Sequence, residues 1–328
     1  MEQIRVGIVG YGNLGRGVKL AIEKNPDMKL SGIISRRPEA VKWEVRGEIP
    51  THFLDFSTEY TQEDFNVVIL CGGSRKDIPR QGPYFAKYFN TVDSFDTHKR
   101  ILWYRKKMEE AANPGAHTSI ISAGWDPGIF SLERMLGSAF LPGSKTYTFW
   151  GQGVSQGHSD AARRVKGVVD ARAYTQPIGK AIDEVRSGFT PELTKRQMHR
   201  RLVYVEVEKG ADERRIEKEI KTMPDYFDEY ETAVYFVGKE SMAKDHKRLP
   251  HGGFVLTSGK TSETNRQILE YRCALESNPE FTASVLVACA RAACRMNKEQ
   301  MFGAYTLADF PLAFLSPHTG KAFTKKFW

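Results

Sequence analysis

The sequence has few of the features that mark disulfide-rich, metal-binding or membrane proteins. Its 328 residues include four cysteines, which form no CxxC pair and no His/Cys cluster at zinc-ligand spacing. The apolar runs are no longer than a strand, and the N-terminus MEQIRVGIVGYG carries an early acid and glycines where a signal peptide needs an unbroken apolar stretch. We therefore expect a cytoplasmic protein with reduced thiols, no bound metal and no membrane span.

The sequence also lacks a concentrated block of charge. Its formal net charge is +8 at pH 7, but the basic residues are scattered and interleaved with acids, as in ADERRIEKEIK. Nucleic-acid-binding domains usually gather Lys and Arg on one face. The charge pattern thus argues against a nucleic-acid partner, and the positive excess is available to an anionic cofactor or substrate.

The first 124 residues alternate between short apolar strands and helical segments. Strand-like runs end close to residues 9, 34, 71, 95 and 122, and helix-like segments lie between several of them. Such alternation predicts a parallel sheet covered by helices on both faces. We predict an α/β protein in which residues 1–124 form a Rossmann-type, doubly wound, dinucleotide-binding domain.

The pattern changes after residue 124. Longer segments that alternate apolar and polar residues follow, such as KTYTFWG, HRRLVYVEVE and GGFVLTSG. They predict a second, mostly antiparallel α+β domain over residues 125–279. An apolar helix predicted at 282–296 has no obvious strand partner, so we expect residues 280–328 to return and complete the first domain.

A glycine-rich turn follows the first strand. The segment GYGNLG comprises Gly10, Tyr11, Gly12, Asn13, Leu14 and Gly15. In dinucleotide-binding domains the first glycine permits a tight turn, the second lets backbone approach the pyrophosphate, and the third lets helix and strand pack together. A glycine turn in another kind of α/β protein is the alternative, but the strand before and the helix after it favour a nucleotide site.

The acid that normally holds the ribose of NAD is missing at the end of the second strand. Ser35, Arg36 and Arg37 stand there instead. Two forked donors and a hydroxyl suit a 2′-phosphate, which an aspartate would repel. We therefore predict NADP rather than NAD, with solvated loop arginines as the alternative interpretation.

Later strand ends are expected to complete the cofactor site. One strand closes with CGGS, whose members are Cys71, Gly72, Gly73 and Ser74. This segment would bring backbone close to the cofactor from the far side of the cleft. After the next strand, we assign three more residues to the same site: Ser94, Phe95 and Asp96.

Acids and aromatics concentrate past the later strands, in TVDSFDTH and SAGWDPGIF. Ligands of doubly wound sheets bind outside the carboxyl ends of the strands, so we expect four side chains near the nicotinamide end: Asp93, Asp96, Trp125 and Asp126. Carboxylates there suit a cationic substrate such as an amine. Helix capping by Asp96 and a helix-start turn at Asp126 are the structural alternatives.

Several ordered segments together resemble one enzyme family. They are GIVGYGNLGRGV, SRR, TVDSFDTH, GWDPG, TFWGQGVSQGHSDA, TMPDYF, PHGGF and ESNPEFTAS, and they run from residue 4 to about residue 296. In this order they are similar to the NADP-dependent meso-diaminopimelate dehydrogenases. The resemblance implies a homodimer with a dinucleotide-binding domain and a substrate-binding and dimerisation domain. It also implies deamination of the D-centre of meso-2,6-diaminopimelate to L-2-amino-6-oxopimelate, ammonia and NADPH.

The resemblance further implies which residues bind the substrate. The D-centre would be held by Asp93, Trp125 and Asp126, with the pocket closed by Trp150 and Gln156 and supported by Asp160. The distal L-centre would be bound by Thr175, Arg201, His251 and Asn278. Arg200 and Arg201 face opposite sides of a strand, so only one can enter a pocket, and the motif selects Arg201.

Charge complementarity agrees with these roles. The substrate carries two carboxylates and two ammonium groups, so the guanidinium of Arg201 suits the distal carboxylate, and Asp93 and Asp126 suit the ammonium. The same two aspartates are the candidate catalytic residues, because a group there must accept a proton as hydride leaves the D-carbon. The sequence leaves open which of the two acts as the base.

Two other functions fit parts of the pattern. A D-amino-acid dehydrogenase of broader specificity would differ at several polar positions that are intact here, namely Gln156, Asp160, Thr175, Arg201 and His251. A non-catalytic NADP-sensing regulator would keep the glycine turn and lose the acids and Trp125, which are also intact. A hydrolase or metalloenzyme has little support, since no HExxH motif or Ser/His/Asp order is present.

Overall fold

The computed structural model describes residues 3–58, 61 and 63–328. Within them the strands are β1 (Ile4–Val9), β2 (Met28–Ser35), β3 (Thr51–Phe53), β4 (Val67–Leu70), β5 (Asn90–Asp93), β6 (Thr118–Ile120), β7 (Lys145–Trp150), β8 (Gly153–Val154), β9 (Val168–Pro177), β10 (His199–Val207), β11 (Glu231–Phe236), β12 (His251–Lys260), β13 (Arg266–Leu275) and β14 (Gly303–Tyr305). The helices are α1 (Asn13–Glu23), α2 (Pro38–Glu44), α3 (Ile78–Phe85), α4 (Ile101–Ala112), α5 (Ile129–Phe140), α6 (Gln156–Arg163), α7 (Gly179–Arg186), α8 (Lys195–Met198), α9 (Glu213–Lys221), α10 (Lys239–Asp245), α11 (Asn278–Lys298) and α12 (Gly320–Phe327).

The chain divides into two compact units. One comprises Met1–Leu132 together with Pro279–Trp328, and the other is Glu133–Asn278. The sequence pattern places the first boundary earlier, at residue 124. The boundary falls later in the structure because the start of α5 still packs within the first unit, where Phe130 meets Trp125 edge to face at 5.1 Å.

The first unit contains a seven-stranded sheet in the order β14-β6-β5-β4-β1-β2-β3. Neighbouring strands are parallel throughout. The chain builds outward from β1 on one side and from β4 on the other, so the strand order reverses between these two strands. Ligands of such sheets bind at the carboxyl ends beside this switch point. The predicted Rossmann-type fold is confirmed.

Alternate side chains of the central strands pack on opposite faces of this sheet. Val6 and Ile8 belong to the core formed with α1 and α11, whereas Val9 and Val68 pack on the other face with Phe85 of α3. Both faces of the sheet are therefore buried. This is why the central strands are continuous runs of apolar residues and do not alternate between apolar and polar residues.

The C-terminal segment packs in the first unit. The 21-residue helix α11 buries Leu286 and Val287 in the core shared with β1. Arg291, 2% exposed, donates from Nε and Nη2 to the two carboxylate oxygens of Asp27, at 2.6 and 2.8 Å. This pairing lowers the pKa of Asp27. After α11, β14 adds to the sheet parallel to β6.

The second unit contains two smaller sheets. One has the order β11-β10-β9-β8, in which β9 is antiparallel to both neighbours and β11 is parallel to β10. The other has the order β13-β12-β7 and is antiparallel. The long strand β9 was not predicted from the sequence.

Candidate active site

The glycine turn joins the carboxyl end of β1 to the N-terminus of α1. Gly10 has a φ of +93°, a conformation that favours glycine. A Cβ added at Gly15 would lie 2.3 Å from the carbonyl oxygen of Gly10, so only glycine lets the helix approach the turn this closely. A Cβ added at Gly12 would meet nothing within 4 Å. The helix N-terminus is therefore open at the place where a phosphate would bind.

Replacing Gly12 is expected to affect mainly dinucleotide binding, whereas replacing Gly15 is expected to affect mainly stability. Gly12→Ala should leave the free energy of unfolding within about 0.5 kcal/mol of the original but weaken dinucleotide binding at least about tenfold, because the methyl group fills the phosphate's space. Gly15→Ala should lower the free energy of unfolding by about 2 kcal/mol, because the helix must shift. Denaturant unfolding and nucleotide titration measure both effects. Equal destabilisation by the two changes would contradict this division.

The side chains within the turn differ in exposure. Asn13 is exposed, whereas Tyr11 is buried and Leu14 packs at the edge of the same core. The buried Tyr11 would therefore serve a cofactor at this turn through its backbone, whereas the Leu14 side chain is partly exposed.

The Ser-Arg-Arg segment lies beside the turn. The N–H of Gly10 donates to the carbonyl of Ile34 at 2.9 Å, which joins the turn to the end of β2. The hydroxyl of Ser35 is buried and accepts the N–H of Arg37 at 3.1 Å. Arg36 and Arg37 are both exposed, and Arg36 lies 3.5 Å from Asp77. An exposed pair of this kind is weak, so both guanidinium groups are available to an anion.

The CGGS loop after β4 adjoins the turn from the other side. The N–H of Cys71 donates to the carbonyl of Val9 at 2.8 Å. A Cβ added at Gly72 would lie 2.6 Å from Asp77 and Gln81, so the loop packs tightly on the start of α3. The N–H of Gly73 donates to Asp77 at 3.0 Å.

Ser74 connects this loop to the one that follows β5. Its hydroxyl donates to the carbonyl of Ser94 at 3.3 Å and accepts the N–H of Asp96 at 3.1 Å. The carboxylate of Asp96 itself is exposed. The predicted residues Ser74, Ser94 and Asp96 are thus brought together at the carboxyl edge of the sheet.

Asp93 and Phe95 lie differently from what the sequence led us to expect. Asp93 has no exposed surface, and its carboxylate accepts the hydroxyl of Tyr104 at 2.7 Å and the backbone N–H groups of Phe95 and Ser122 at 2.9 and 3.1 Å. The ring of Phe95 is also buried and stacks on Tyr104 at 4.3 Å. Through these contacts Asp93 fixes the loops after β5 and β6. A catalytic role of Asp93 and a cofactor contact by Phe95 stay predictions.

Burial raises the pKa of Asp93 to about 6, and its three hydrogen bonds offset the effect only in part. This value lies above the 3.8 of an unperturbed carboxyl, so between these pH values only the folded protein keeps the proton. The contribution of Asp93 to the free energy of unfolding is fully present below about pH 4. It is lost as the pH rises through about 6, and the loss is about 3 kcal/mol. Asp93→Asn should lack this loss. Urea unfolding of both proteins at pH 4.5 and 7 measures it, and an identical pH dependence would contradict the assignment.

The loop after β6 carries Trp125 and Asp126. Gly128 has a φ of +130°, and a Cβ there would lie 2.0 Å from the carbonyl oxygen of Gly124, so the loop closes tightly on itself. Trp125 is buried against Phe130, and Asp126 is half-buried. Because β5 and β6 are neighbours, the Asp96 and Asp126 loops lie at the same edge of the sheet.

In the second unit, Arg201 and Thr175 lie directly opposite each other on β10 and β9. They are 5% and 3% exposed, and Nη1 of Arg201 donates to the hydroxyl of Thr175. The ring of Tyr230 covers the guanidinium at 4.2 Å. Arg200 points the other way, is exposed, and donates to Gln176 at 2.7 Å. Strand alternation thus buries Arg201 and not its neighbour.

Among the residues that the structure describes, Arg201 has no acidic partner. Its Nε is buried without a hydrogen-bond acceptor, and no carboxylate of the residues that the structure describes lies within ion-pair distance of it. Burial lowers the pKa of its guanidinium. A buried charge without a counter-ion is costly, so the arrangement is that of a site prepared for an anion.

Other predicted substrate residues surround this pair. Gly153 lies opposite Thr175 in the β8–β9 pair, and a Cβ there would lie 2.4 Å from the Cα of His251. Trp150 ends β7 and pairs with Gly253 of β12, two residues after His251. The second unit therefore holds Trp150, Thr175, Arg201 and His251 in one region.

Gln156 and Asn278 begin helices at the same region. Gln156 starts α6, two residues after β8, and is exposed. The N–H of Asn278 donates to the carbonyl of Leu249 at 3.0 Å, two residues before His251. Asp160 is exposed and forms an ion pair with Arg163, and its support of the pocket stays a prediction.

Two residues of this region were not predicted. His199 precedes Arg201 on the same face of β10 and touches Trp150, and Tyr230 covers the guanidinium from a separate segment. Strand alternation in HRRLVYV could have indicated His199. No sequence pattern connects Tyr230 with Arg201.

Among residues 3–58, 61 and 63–328, no group of three or more His, Cys, Asp or Glu side chains could hold a metal ion. No helix in this part of the chain is both long and apolar enough to cross a bilayer. All four cysteines are free thiols.

Known proteins resemble this chain over its whole length. The C-terminal domain family of diaminopimelic acid dehydrogenases matches residues 124–277. The meso-diaminopimelate D-dehydrogenase of Ureibacillus thermosphaericus is 52% identical over 327 residues, which are 99% of each chain.

Three solved structures have a similar fold. The Corynebacterium glutamicum diaminopimelate dehydrogenase in complex with diaminopimelate has a TM-score of 0.91 and 41% identity, covering 100% of both chains. A six-substitution variant of the Clostridium tetani enzyme with diaminopimelate has a TM-score of 0.91 and 45% identity, covering 99% and 100%. An engineered D-amino acid dehydrogenase bound to NADP+ has a TM-score of 0.87 and 40% identity, covering 99% and 100%. The chain belongs to the meso-diaminopimelate D-dehydrogenase family.

Proposed function

We propose that this protein is an NADP-dependent dehydrogenase that oxidatively deaminates the D-centre of meso-2,6-diaminopimelate. The products are L-2-amino-6-oxopimelate, ammonia and NADPH, and the reaction is reversible. The observation that carries the proposal is the buried, unpaired guanidinium of Arg201. An amino acid with a second, distal carboxylate is the kind of ligand that this charge would bind.

The chemistry of the region around Arg201 supports a dicarboxylate substrate. A planar guanidinium binds a carboxylate through two parallel hydrogen bonds, and the hydroxyl of Thr175 already fixes its orientation. Tyr230 excludes water from one face, which strengthens the attraction. A simple D-amino acid would leave this charge unpaired, so a broad D-amino-acid dehydrogenase is the less favoured candidate.

The substitutions of the Clostridium tetani variant fall at positions that match predicted substrate residues of this chain. The residues replaced in it are a Gln, a Thr, an Arg, a Pro, a His and an Asn. This chain has the same residue types in the same order and with the same spacings, and they are Gln156, Thr175, Arg201, Pro250, His251 and Asn278. Five of these six are substrate-binding residues predicted from the sequence.

NADP is the proposed cofactor. The open helix N-terminus at Gly12 suits the pyrophosphate, and the exposed guanidinium groups of Arg36 and Arg37 suit the 2′-phosphate. The NADP+ bound to the 40% identical engineered dehydrogenase supports the same choice. When bound, the nicotinamide would accept the hydride from the D-carbon.

The chain's own residues would hold the substrate and take its proton. We assign the ammonium of the D-centre to Asp126 and Asp96, whose loops follow neighbouring strands and which are more exposed than the fully buried Asp93. One of these two carboxylates would accept the proton that the ammonium must lose before hydride can leave. Asp93 would act by holding both loops in place.

We further propose that the enzyme is a cytoplasmic homodimer. The ten-residue strand β13 lies at an edge of its sheet, and most of its side chains are exposed, including Leu269. An unpaired edge of this length is usually covered in soluble proteins. A second copy of the chain would cover it, and light scattering of the purified protein tests for the dimer.

An absorbance assay for NADPH tests the function. The purified protein is given NADP with meso-diaminopimelate, the LL and DD isomers or D-alanine, and then NAD with meso-diaminopimelate. We expect efficient turnover with NADP and the meso isomer only. Absence of turnover with the meso isomer would refute the proposal, and equal efficiency with D-alanine would favour the broad D-amino-acid dehydrogenase.

A further inference from the structure

We propose that His199 is a positioning residue, which holds Trp150 and the neighbouring Arg201 in the geometry that binds the substrate. The inference rests on the proposed function, since it names a further residue of the same site. His199 itself would touch neither the substrate nor the cofactor.

The strand geometry places His199 beside the site. It begins β10 and lies two residues before Arg201, so both side chains point to the same face of the sheet. They are 1% and 5% exposed, respectively. On β9 their opposite residues are Pro177 and Thr175. The imidazole is therefore part of the wall next to the Arg201–Thr175 pair.

His199 contacts Trp150 in two ways. Its Nε2 accepts the backbone N–H of Trp150 at 2.8 Å, at the point where β7 ends. Its ring also stacks on the indole, with 5.2 Å between ring centroids and 27° between the planes. One side chain thus fixes both the backbone and the ring of Trp150.

The hydrogen bond requires a neutral imidazole. Nε2 accepts a hydrogen bond from the backbone N–H of Trp150, so it carries no proton of its own, and Nδ1 is the protonated nitrogen. Burial, and next the positive charge of Arg201, lower the pKa of His199 to about 3. The acceptor is therefore present throughout the working pH range, and the imidazole adds no second positive charge beside Arg201.

Two substitutions separate the hydrogen bond from the ring contact. His199→Phe keeps an aromatic ring against Trp150 but leaves the N–H of Trp150 without its acceptor. His199→Gln keeps an acceptor and loses the ring. An unsatisfied N–H is costly, and the backbone around it relaxes to find a new partner. We expect kcat/KM for meso-diaminopimelate to fall about 30-fold in H199F, mainly through KM, and to stay within about fivefold in H199Q.

The experiment measures kcat and KM for meso-diaminopimelate, NADP affinity by titration, and thermal unfolding for each variant. His246→Phe is the control, since it replaces a histidine that packs on Tyr174 and Tyr204, away from Trp150. The control and NADP affinity in all variants should stay within about threefold of the original. If H199F does not fold, H199Q decides: retention within about fivefold supports the inference, and a larger loss overturns it.

The possible failures are distinguishable. An original protein that does not turn over meso-diaminopimelate would overturn both the proposed function and this inference. An active original protein with an unchanged KM in folded H199F would overturn the inference alone. Equal losses in H199F and H199Q would also overturn it, because they would show that the acceptor has no special role.

Discussion

Arg201→Met is expected to lower kcat/KM for meso-diaminopimelate by roughly 10³-fold, with much of the loss in KM. Removing one partner from a buried, hydrogen-bonded charge pair costs about 4 kcal/mol, and 1.4 kcal/mol corresponds to a factor of ten. The free protein should not be destabilised, because its guanidinium is buried without a counter-ion. Steady-state kinetics measures the loss of kcat/KM, and thermal unfolding measures stability. We expect the variant to be as stable as the original protein or more stable.

Arg200→Met is the matched control for this experiment. It removes the same charge from the adjacent position of β10, but the Arg200 side chain is exposed and contacts Gln176. We expect kcat/KM to stay within about threefold, as is usual for a surface substitution. Similar losses in the two variants would mean that net charge, and not the buried guanidinium, governs substrate binding.

Replacement of both Arg36 and Arg37 by Gln is expected to weaken NADP binding about 100-fold and NAD binding less than about threefold. The two guanidinium groups are exposed at the end of β2, where only the 2′-phosphate distinguishes the cofactors. Two charge-assisted hydrogen bonds at an exposed site contribute about 3 kcal/mol together. Fluorescence titration with each nucleotide measures the ratio.

Lys42→Gln serves as the control for the arginine pair. Lys42 is an exposed residue of the following helix α2, and its loss changes the local charge without touching the strand end. NADP affinity should then fall by less than about threefold, because only long-range attraction between exposed charges is lost, which salt also screens. Equal losses of NADP and NAD affinity in the double arginine variant would place the 2′-phosphate site elsewhere.

The parallel sheet was predictable from the sequence, but one long strand of the second unit was not. β1 and β4 are runs of apolar residues because both of their faces are covered. In β9 the buried positions are filled by Ala171, Ala173 and Thr175, with charged residues such as Arg172 between them. Small buried residues give only a weak hydrophobic pattern. The alternation of buried and exposed positions in β9 therefore cannot be recognised from the sequence and is seen only in the folded sheet.

Parts of the site were predictable for a similar reason. The glycine turn is a local structure, so its sequence determines its geometry. The direction of the Asp93 side chain is not determined locally, because it depends on the hydroxyl of Tyr104, which lies on α4 and donates a hydrogen bond to the Asp93 carboxylate. Arg201 lies between these cases: alternation predicts that one of the two arginines is buried, and the family motif, not the alternation, selects Arg201.

The C-terminal helix α11 has a consequence for how the protein is made. Most of the first unit precedes the second unit in the chain, yet its core includes Leu286 and its sheet includes β14 at residues 303–305. The second unit, Glu133–Asn278, is therefore translated in full while the first remains incomplete. Contacts so distant in sequence form slowly, and partly formed domains expose apolar surface. Of the two units, the one whose synthesis starts earlier is thus the one that can finish folding later.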